Sequence, residues 1–259
     1  MQAIPFENNS YTTPARSISI ISKFLPSWVF YFKLFQGILR LSRITRRGMF
    51  NKQLMHDSSL WVVEDLESVG VKIEITGVEN FRGLDIPCVF VANHMSTLET
   101  FVLPAIILPF KDLTFVVKEE LIRYPVFKYP MLALNPITVG RKNPREDLKA
   151  VMNGGLQRLN ARISVVIFPQ TTRYIDFDPT KFNTIGVKLA KKAGVPVIPV
   201  AVKTDAWGMG KYLKDFGKID PSKQVYFSFG KPLWITGTGA EEHERVIEFI
   251  QNKLTQWMK

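Results

Sequence analysis

Apolar positions recur along this chain in two rhythms. Up to about residue 69 they follow helical spacing, and from residue 71 onward short apolar runs alternate with longer amphipathic segments. Residues 26 to about 43 predict a first helix with Pro26 in its first turn, where a missing N–H does no harm. Residues 51–69 predict a second, carrying Leu54, Leu60, Trp61, Val62 and Leu66. Strands are expected at 71–75, 88–92, 113–117, 137–139, 164–168, 195–202 and 224–229, each a short β-branched or aromatic run closed by a polar or glycine break. Between them, 97–108 predicts a helix that Pro104 kinks or restarts. Asn143-Pro144-Arg145-Glu146 supplies an N-cap, a first-position proline and an early glutamate for a helix to about residue 160. Residues 183–193 predict another, stopped by Gly194, and 241–257 a closing helix with Val246, Ile250 and Leu254 on one stripe. This alternation specifies an α/β fold, a largely parallel central sheet covered by helices on both faces. Residues 1–22 are polar and Ser/Thr-rich, with no uninterrupted apolar core and no small-residue cleavage site; they predict a frayed or surface-laid lead-in rather than a secretory signal.

Charge changes the reading of the first two helices. The chain carries a net +11, and eight basic side chains from Arg16 to Lys52 face Glu7 alone in the first 56 residues, which leaves +7 there. These cations are interleaved with Phe24, Leu25, Trp28, Val29, Phe30, Tyr31, Phe32, Leu34 and Phe35. A nucleic-acid arm has little use for that much apolar bulk, whereas a helix lying in a membrane interface needs it to enter the acyl boundary and needs Lys/Arg to hold anionic head groups. Lys33 interrupts the apolar stretch, which is shorter than the roughly 20 residues of a membrane crossing. The expected division is therefore 1–70, a basic, apolar two-helix membrane-association motif, and 71–259, the α/β domain. The plainer alternative is a helical hairpin that only covers one face of the sheet. With 259 residues, 46% of them hydrophobic, the chain can bury a sizeable core. Its single cysteine, Cys88, excludes an intramolecular disulfide and a Cys-rich metal site, and three scattered histidines argue against a histidine metal cluster.

The candidate chemistry begins where the strand at 88–92 ends. Asn93-His94 follows it, and Glu99 stands five residues beyond the histidine. On a continuous helix such a pair would point roughly 140° apart, so the two can meet only across a strand-to-helix turn, where open α/β sheets place their sites. Glu99 has a structural alternative, because Ser96-Thr97-Leu98-Glu99 also fits a capping box. Lys118, Arg141 and Arg173 each follow a predicted strand end and would share the sheet edge with His94, an anion site in outline. There is no G-x-G-x-x-G or Walker loop and no G-x-S-x-G elbow, which argues against nucleotide chemistry and a serine hydrolase.

Four blocks, Asn93-His94 through Glu99, Gly140-Arg141, Phe168-Pro169-Gln170-Thr171-Thr172-Arg173 and Val195-Pro196-Val197-Ile198-Pro199-Val200, resemble in order and spacing those of the glycerolipid acyltransferases. The nearest branch is the bacterial 1-acylglycerol-3-phosphate acyltransferases, and the likeness spans roughly residues 25–230. The resemblance implies that His94 is the general base and Glu99 its acidic partner. It implies that Lys118, Arg141 and Arg173 bind the acceptor's phosphate, and that Gln170, Thr171, Thr172 and Pro199 shape the acceptor or acyl pocket. It further implies acyl-CoA or acyl carrier protein as donor, a lysophospholipid as acceptor, no metal, no cofactor and no nucleic acid, and a monotopic enzyme on an anionic membrane surface, the cytoplasmic face of the inner membrane. Two positions depart from the family pattern: Glu99 stands where aspartate is usual, and Gln170-Thr171 replaces a Glu-Gly pair. Threonine there removes the left-handed freedom of glycine and adds bulk, so a different lysophospholipid acceptor, or an inactive lipid-binding relative, are the alternative expectations.

Overall fold

The computed structural model describes residues 4–123, 134–140, 143–170, 172–211 and 213–259. Its strands are β1 Tyr11–Thr12, β2 Ile73–Thr76, β3 Val89–Ala92, β4 Asp112–Lys118, β5 Ile137–Val139, β6 Ile163–Ile167, β7 Val197–Lys203 and β8 Val225–Phe229. Its helices are α1 Ile20–Phe24, α2 Pro26–Arg46, α3 Lys52–Ser68, α4 Glu79–Arg82, α5 Leu98–Ile107, α6 Pro144–Asn160, α7 Ile185–Ala193 and α8 Ala240–Trp257. The strands form one sheet in the order β1-β2-β8-β7-β3-β6-β4-β5. Pairing is parallel from β7 through β5 and between β2 and β8, but antiparallel at β7/β8 and at the β1 edge.

The centre of the sheet explains where the site lies. All four β3 residues are buried, as expected of a strand flanked on both sides and covered on both faces. Even-numbered Phe90 and Ala92 join the layer built by α2, α3 and α5 with Phe30, Leu34, Leu66 and Leu103, while Val89 and Val91 join the opposite layer with Val151, Leu189 and Ile250. Because β3, β6, β7 and β4 are mutually parallel, their carboxyl ends open on one edge, and β3's neighbours β6 and β7 place residues 168–174 and 204 beside whatever follows Ala92.

Local signals account for several boundaries. The side chain of Asn51 accepts from Leu54 N–H at 2.8 Å to start α3, and that of Asn143 accepts from Arg145 and Glu146 to start α6. Gly194 closes α7 with φ 66°, a left-handed cap open to glycine. Two expectations offered alternatives, and the structure decides against one in each. α5 does not restart at Pro104 but runs through it as one helix, so packing in this largely buried layer outweighs the backbone hydrogen bond the proline cannot donate. From residue 4 on, the lead-in is laid on the surface rather than frayed: Tyr11 is buried in the edge strand β1, its hydroxyl donates to Glu67 at 2.5 Å, and Arg16 pairs with the same carboxylate at 3.1 Å. The first 70 residues thus share a core with the sheet, through Ile4, Phe30, Leu34, Val63 and Leu66. Among the described residues, no helix is long and apolar enough to cross a membrane.

Candidate active site

The turn after β3 is fixed before any functional group is considered. Asn93 imitates a ladder pair with β7: its Nδ2 donates to Val202 O and its Oδ1 accepts from Val202 N–H, both at 2.8 Å. The next residue is held from the other side, by the strand-end loop of β6. His94 N–H donates to Gln170 Oε1 at 2.7 Å, and His94 C=O accepts from Tyr174 N–H at 3.0 Å. The imidazole stacks on Phe168 with centroids 4.3 Å apart and planes 22° apart, leaving its side chain 16% exposed.

Glu99 is completely buried in the first turn of α5 and reaches back to the residues before the helix. Its Oε1 accepts from His94 Nδ1 at 2.8 Å, from Met95 N–H at 2.7 Å and from Ser96 N–H at 2.9 Å. Its Oε2 is met by the hydroxyls of Thr204 at 2.7 Å and Ser96 at 3.0 Å. Capping and orientation of the imidazole are therefore one arrangement: the carboxylate closes the glutamate half of the capping box while holding the histidine. Ser96 Oγ does not complete the reciprocal half to residue 99; it accepts instead from Leu98 N–H at 3.1 Å.

Burial alone would push the Glu99 carboxyl up. The hydrogen bond and charge of His94, the Thr204 hydroxyl and the Ser96 amide outweigh that desolvation and hold it below its ordinary value, so it is ionised. An ionised carboxylate only accepts, so the proton between the two lies on Nδ1. In the neutral ring Nε2 then carries the lone pair. Such a histidine can take a proton from a hydroxyl and carry the resulting charge against a fixed carboxylate. Cys88, beneath the same strand, cannot compete as a nucleophile: burial pushes its thiol up to about 11.

The other candidate residues fall into three groups. Arg173 lies next to His94 by virtue of the Tyr174 hydrogen bond, and its guanidinium reaches the Thr97 hydroxyl and pairs with Asp215 at 2.6 Å. Gln170 is buried against His94 and Thr172 is exposed beside it. Lys118 ends β4, two strands from β3, roughly 10 Å across the same sheet edge. Pro199 is not brought to this edge: it pairs with Val91 inside the sheet, three positions behind His94, and lines a cleft with Gly230 and Phe249 near α8. Arg141 and Thr171 lie outside the described residues. Sequence reasoning passed over Thr204 and Asp215, and it quoted Phe168 in the third block without giving it a role. Thr204 carries no local signal, being a threonine after a strand, and only the β3/β7 pairing turns it toward Glu99.

A family model described as "Acyltransferase" matches residues 72–203, half of the chain. A 1-acyl-sn-glycerol-3-phosphate acyltransferase of Pseudomonas aeruginosa is 37% identical over 189 residues, 73% of this chain and 68% of that protein. A chloroplastic 1-acyl-sn-glycerol-3-phosphate acyltransferase of Brassica napus is 30% identical over 142 residues, but only 39% of that protein is covered and 55% of this chain. The crystal structure of the 1-acyl-sn-glycerophosphate (LPA) acyltransferase PlsC from Thermotoga maritima superposes with a TM-score of 0.64, covering 91% of this chain and 96% of that one at 21% identity, a likeness of fold.

Proposed function

Because the chain belongs to the acyltransferase family, we propose that it moves a fatty acyl group from an acyl thioester, acyl-CoA or acyl carrier protein, to the free hydroxyl of 1-acylglycerol-3-phosphate, giving phosphatidic acid. The observation that carries the reading is the buried carboxylate of Glu99 on His94 Nδ1 at 2.8 Å, which leaves Nε2 as the nitrogen able to act as a base. His94 Nε2 takes the acceptor hydroxyl's proton as the oxygen attacks the thioester carbonyl carbon. The carbon–sulfur bond then breaks, and the thiolate leaves with the proton that His94 held. Glu99 stabilises the imidazolium between those two steps, and no residue need be acylated.

Arg173 beside His94 supports a phosphate site, with Lys118 and Arg141 as its further cations, because paired N–H donors match phosphate oxygens. Gln170 and Thr172, with Thr171 between them in the sequence, belong to the acceptor or acyl pocket of this reading, and Pro199 belongs to the cleft behind the sheet. Arg173→Ala is expected to raise the KM for 1-acylglycerol-3-phosphate on the order of 10- to 100-fold with a smaller loss in kcat, measured by steady-state acyl transfer. An unchanged KM would remove Arg173 from the acceptor site.

The acceptor is a lipid, and α1 and α2 carry the surface to meet it. Phe24, Trp28 and Phe32 are 81%, 78% and 65% exposed, with Ile20, Ile21, Leu25 and Phe35 also outward, and Lys23, Arg40, Arg43 and Arg47 around them. Seven exposed large apolar side chains within 16 residues, rimmed by cations, support monotopic docking on an anionic membrane, the cytoplasmic face of the inner membrane in a bacterial cell. Replacing Phe24, Trp28 and Phe32 together with serine is expected to cut flotation with anionic liposomes at least roughly tenfold while leaving the unfolding temperature unchanged, since none of the three is buried. Equal flotation of the variant would rule out this face.

A further inference from the structure

Arg173 is not held by the acceptor loop alone. Its side chain is only 17% exposed and its guanidinium is paired with Asp215 at 2.6 Å, and the Thr97 hydroxyl, at the N-terminus of α5, contacts both: it accepts from Arg173 and donates to Asp215 Oδ1 at 3.3 Å. Asp215 reaches this point from a long connection after β7, and that connection is built to hold it. Trp207 Nε1–H donates to the Asp215 carbonyl at 3.0 Å, Gly208 N–H donates to Lys218 O at 2.9 Å, and Trp207 bridges to Ile219. The loop closes so tightly that a Cβ on Gly217 would stand 1.9 Å from Gly208 O. Its outer side is anchored to α2, where Tyr31 donates to Gly217 O and Ser27 Oγ accepts from Ile219 N–H. The carboxylate is thus seated by a loop tied to itself and to α2, while the Asp215 side chain remains 44% exposed to water and to an incoming anion.

Asp215 holds one end of the guanidinium, Nη2, while Nη1 is on the Thr97 hydroxyl, and a phosphate that takes paired N–H donors must compete with the carboxylate for that end. We propose that Asp215 is a specificity residue: it competes for Arg173, so that only an acceptor whose phosphate outbids a carboxylate binds well. This rests on Arg173 being the phosphate ligand of the reading above. A phosphodiester head group brings one negative charge and two free oxygens, the same as the aspartate it must displace, so the exchange gains nothing. A phosphate monoester brings roughly −1.5 to −2 charges at neutral pH and three acceptor oxygens, so the exchange is favourable. The Arg173–Asp215 pair thereby selects 1-acylglycerol-3-phosphate over lysophospholipids that carry a further head group on the phosphate.

The experiment is steady-state acyl transfer by the full-length wild type, Asp215→Asn and Asp215→Glu, with 1-acylglycerol-3-phosphate as the monoester and 1-acylglycerophosphoglycerol as the diester. Asparagine removes the competing charge, and the expected result is a lower KM for both acceptors, more so for the diester, so that the monoester-to-diester ratio of kcat/KM falls at least about fivefold. Glutamate restores the charge and is expected to keep the wild-type ratio, which a variant damaged in folding would not do. A KM raised for both acceptors by asparagine means that Asp215 props Arg173 in place, and overturns the proposal; so does a ratio that is unchanged or raised. Arg173→Ala, run beside them, separates the premise from the inference. If it leaves the monoester KM unchanged, the phosphate role of Arg173 fails and the proposal with it, whereas a raised KM with an unmoved Asp215→Asn ratio refutes the role of Asp215 alone.

Discussion

His94→Ala lowers kcat/KM for acyl transfer to 1-acylglycerol-3-phosphate on the order of 10³- to 10⁴-fold, with the unfolding temperature within a few degrees of wild type. The rate loss follows from removing the group that takes the hydroxyl proton, and general base catalysis supplies about that much. The stability is kept because the backbone of residue 94 does the structural work. Its N–H and C=O still bond Gln170 and Tyr174, and Asn93 still clamps Val202. Glu99 keeps four other donors, the amides of Met95 and Ser96 and the hydroxyls of Ser96 and Thr204. A rate within tenfold of wild type would mean that the base is some other group.

Glu99→Gln separates orientation from charge. The amide oxygen can take the Oε1 side, where His94 Nδ1–H and two backbone N–H groups donate. The amide NH₂ then faces the two hydroxyls, and both can turn to accept. The geometry of the turn therefore survives, and what is lost is the negative charge that supports imidazolium. The expected result is a kcat about a hundred- to a thousandfold lower, with the fold less stable by ~1–2 kcal/mol from the loss of charge-assisted hydrogen bonds. The pH dependence has a definite sign. Glu99 is held below its ordinary value of 4.5, so its ionised form stabilises the fold at every pH above that value, and the contribution disappears as pH falls through the depressed value. Thermal unfolding of wild type and variant should accordingly differ at neutral pH and converge in acid. An undiminished kcat would leave Glu99 as a cap only.

Much of this arrangement was legible from residue order, because its signals are local. The β-branched run before Asn93, the proline after Asn143 and the glycine after Ala193 each act within one turn of chain, and they fix β3, α6 and α7. The meeting of His94 and Glu99 across a turn was likewise a matter of five residues and the geometry of a helix. The parts that were not legible depend on which strands become neighbours. Nothing near Tyr11 announces that it will pair with β2 and bond Glu67, 56 residues away. Thr204 touches Glu99 only because β7 lies beside β3, and β8 runs antiparallel only because the long connection from residue 204 to 224 brings it back beside β7. Pro199 shows the same limit from the other side: membership in a motif block placed it near the acceptor, while the register places it opposite Val91 inside the sheet. The ion pair on Arg173 is the clearest case, since the arginine could be read as a strand-end cation but its carboxylate partner lies 42 residues further along.

The central claim, that His94 held by Glu99 drives transfer of an acyl group to a phosphate-bearing lysolipid, is tested most directly by one measurement. Purified wild type and His94→Ala are incubated with 1-acylglycerol-3-phosphate, acyl-CoA or acyl carrier protein, and anionic vesicles, and phosphatidic acid and free thiol are quantified together. The expected result is that wild type forms the two products one for one with at least one donor, while His94→Ala forms them at least about a thousandfold more slowly. No phosphatidic acid from wild type with either donor, free thiol without it, or equal rates from both proteins would contradict the claim.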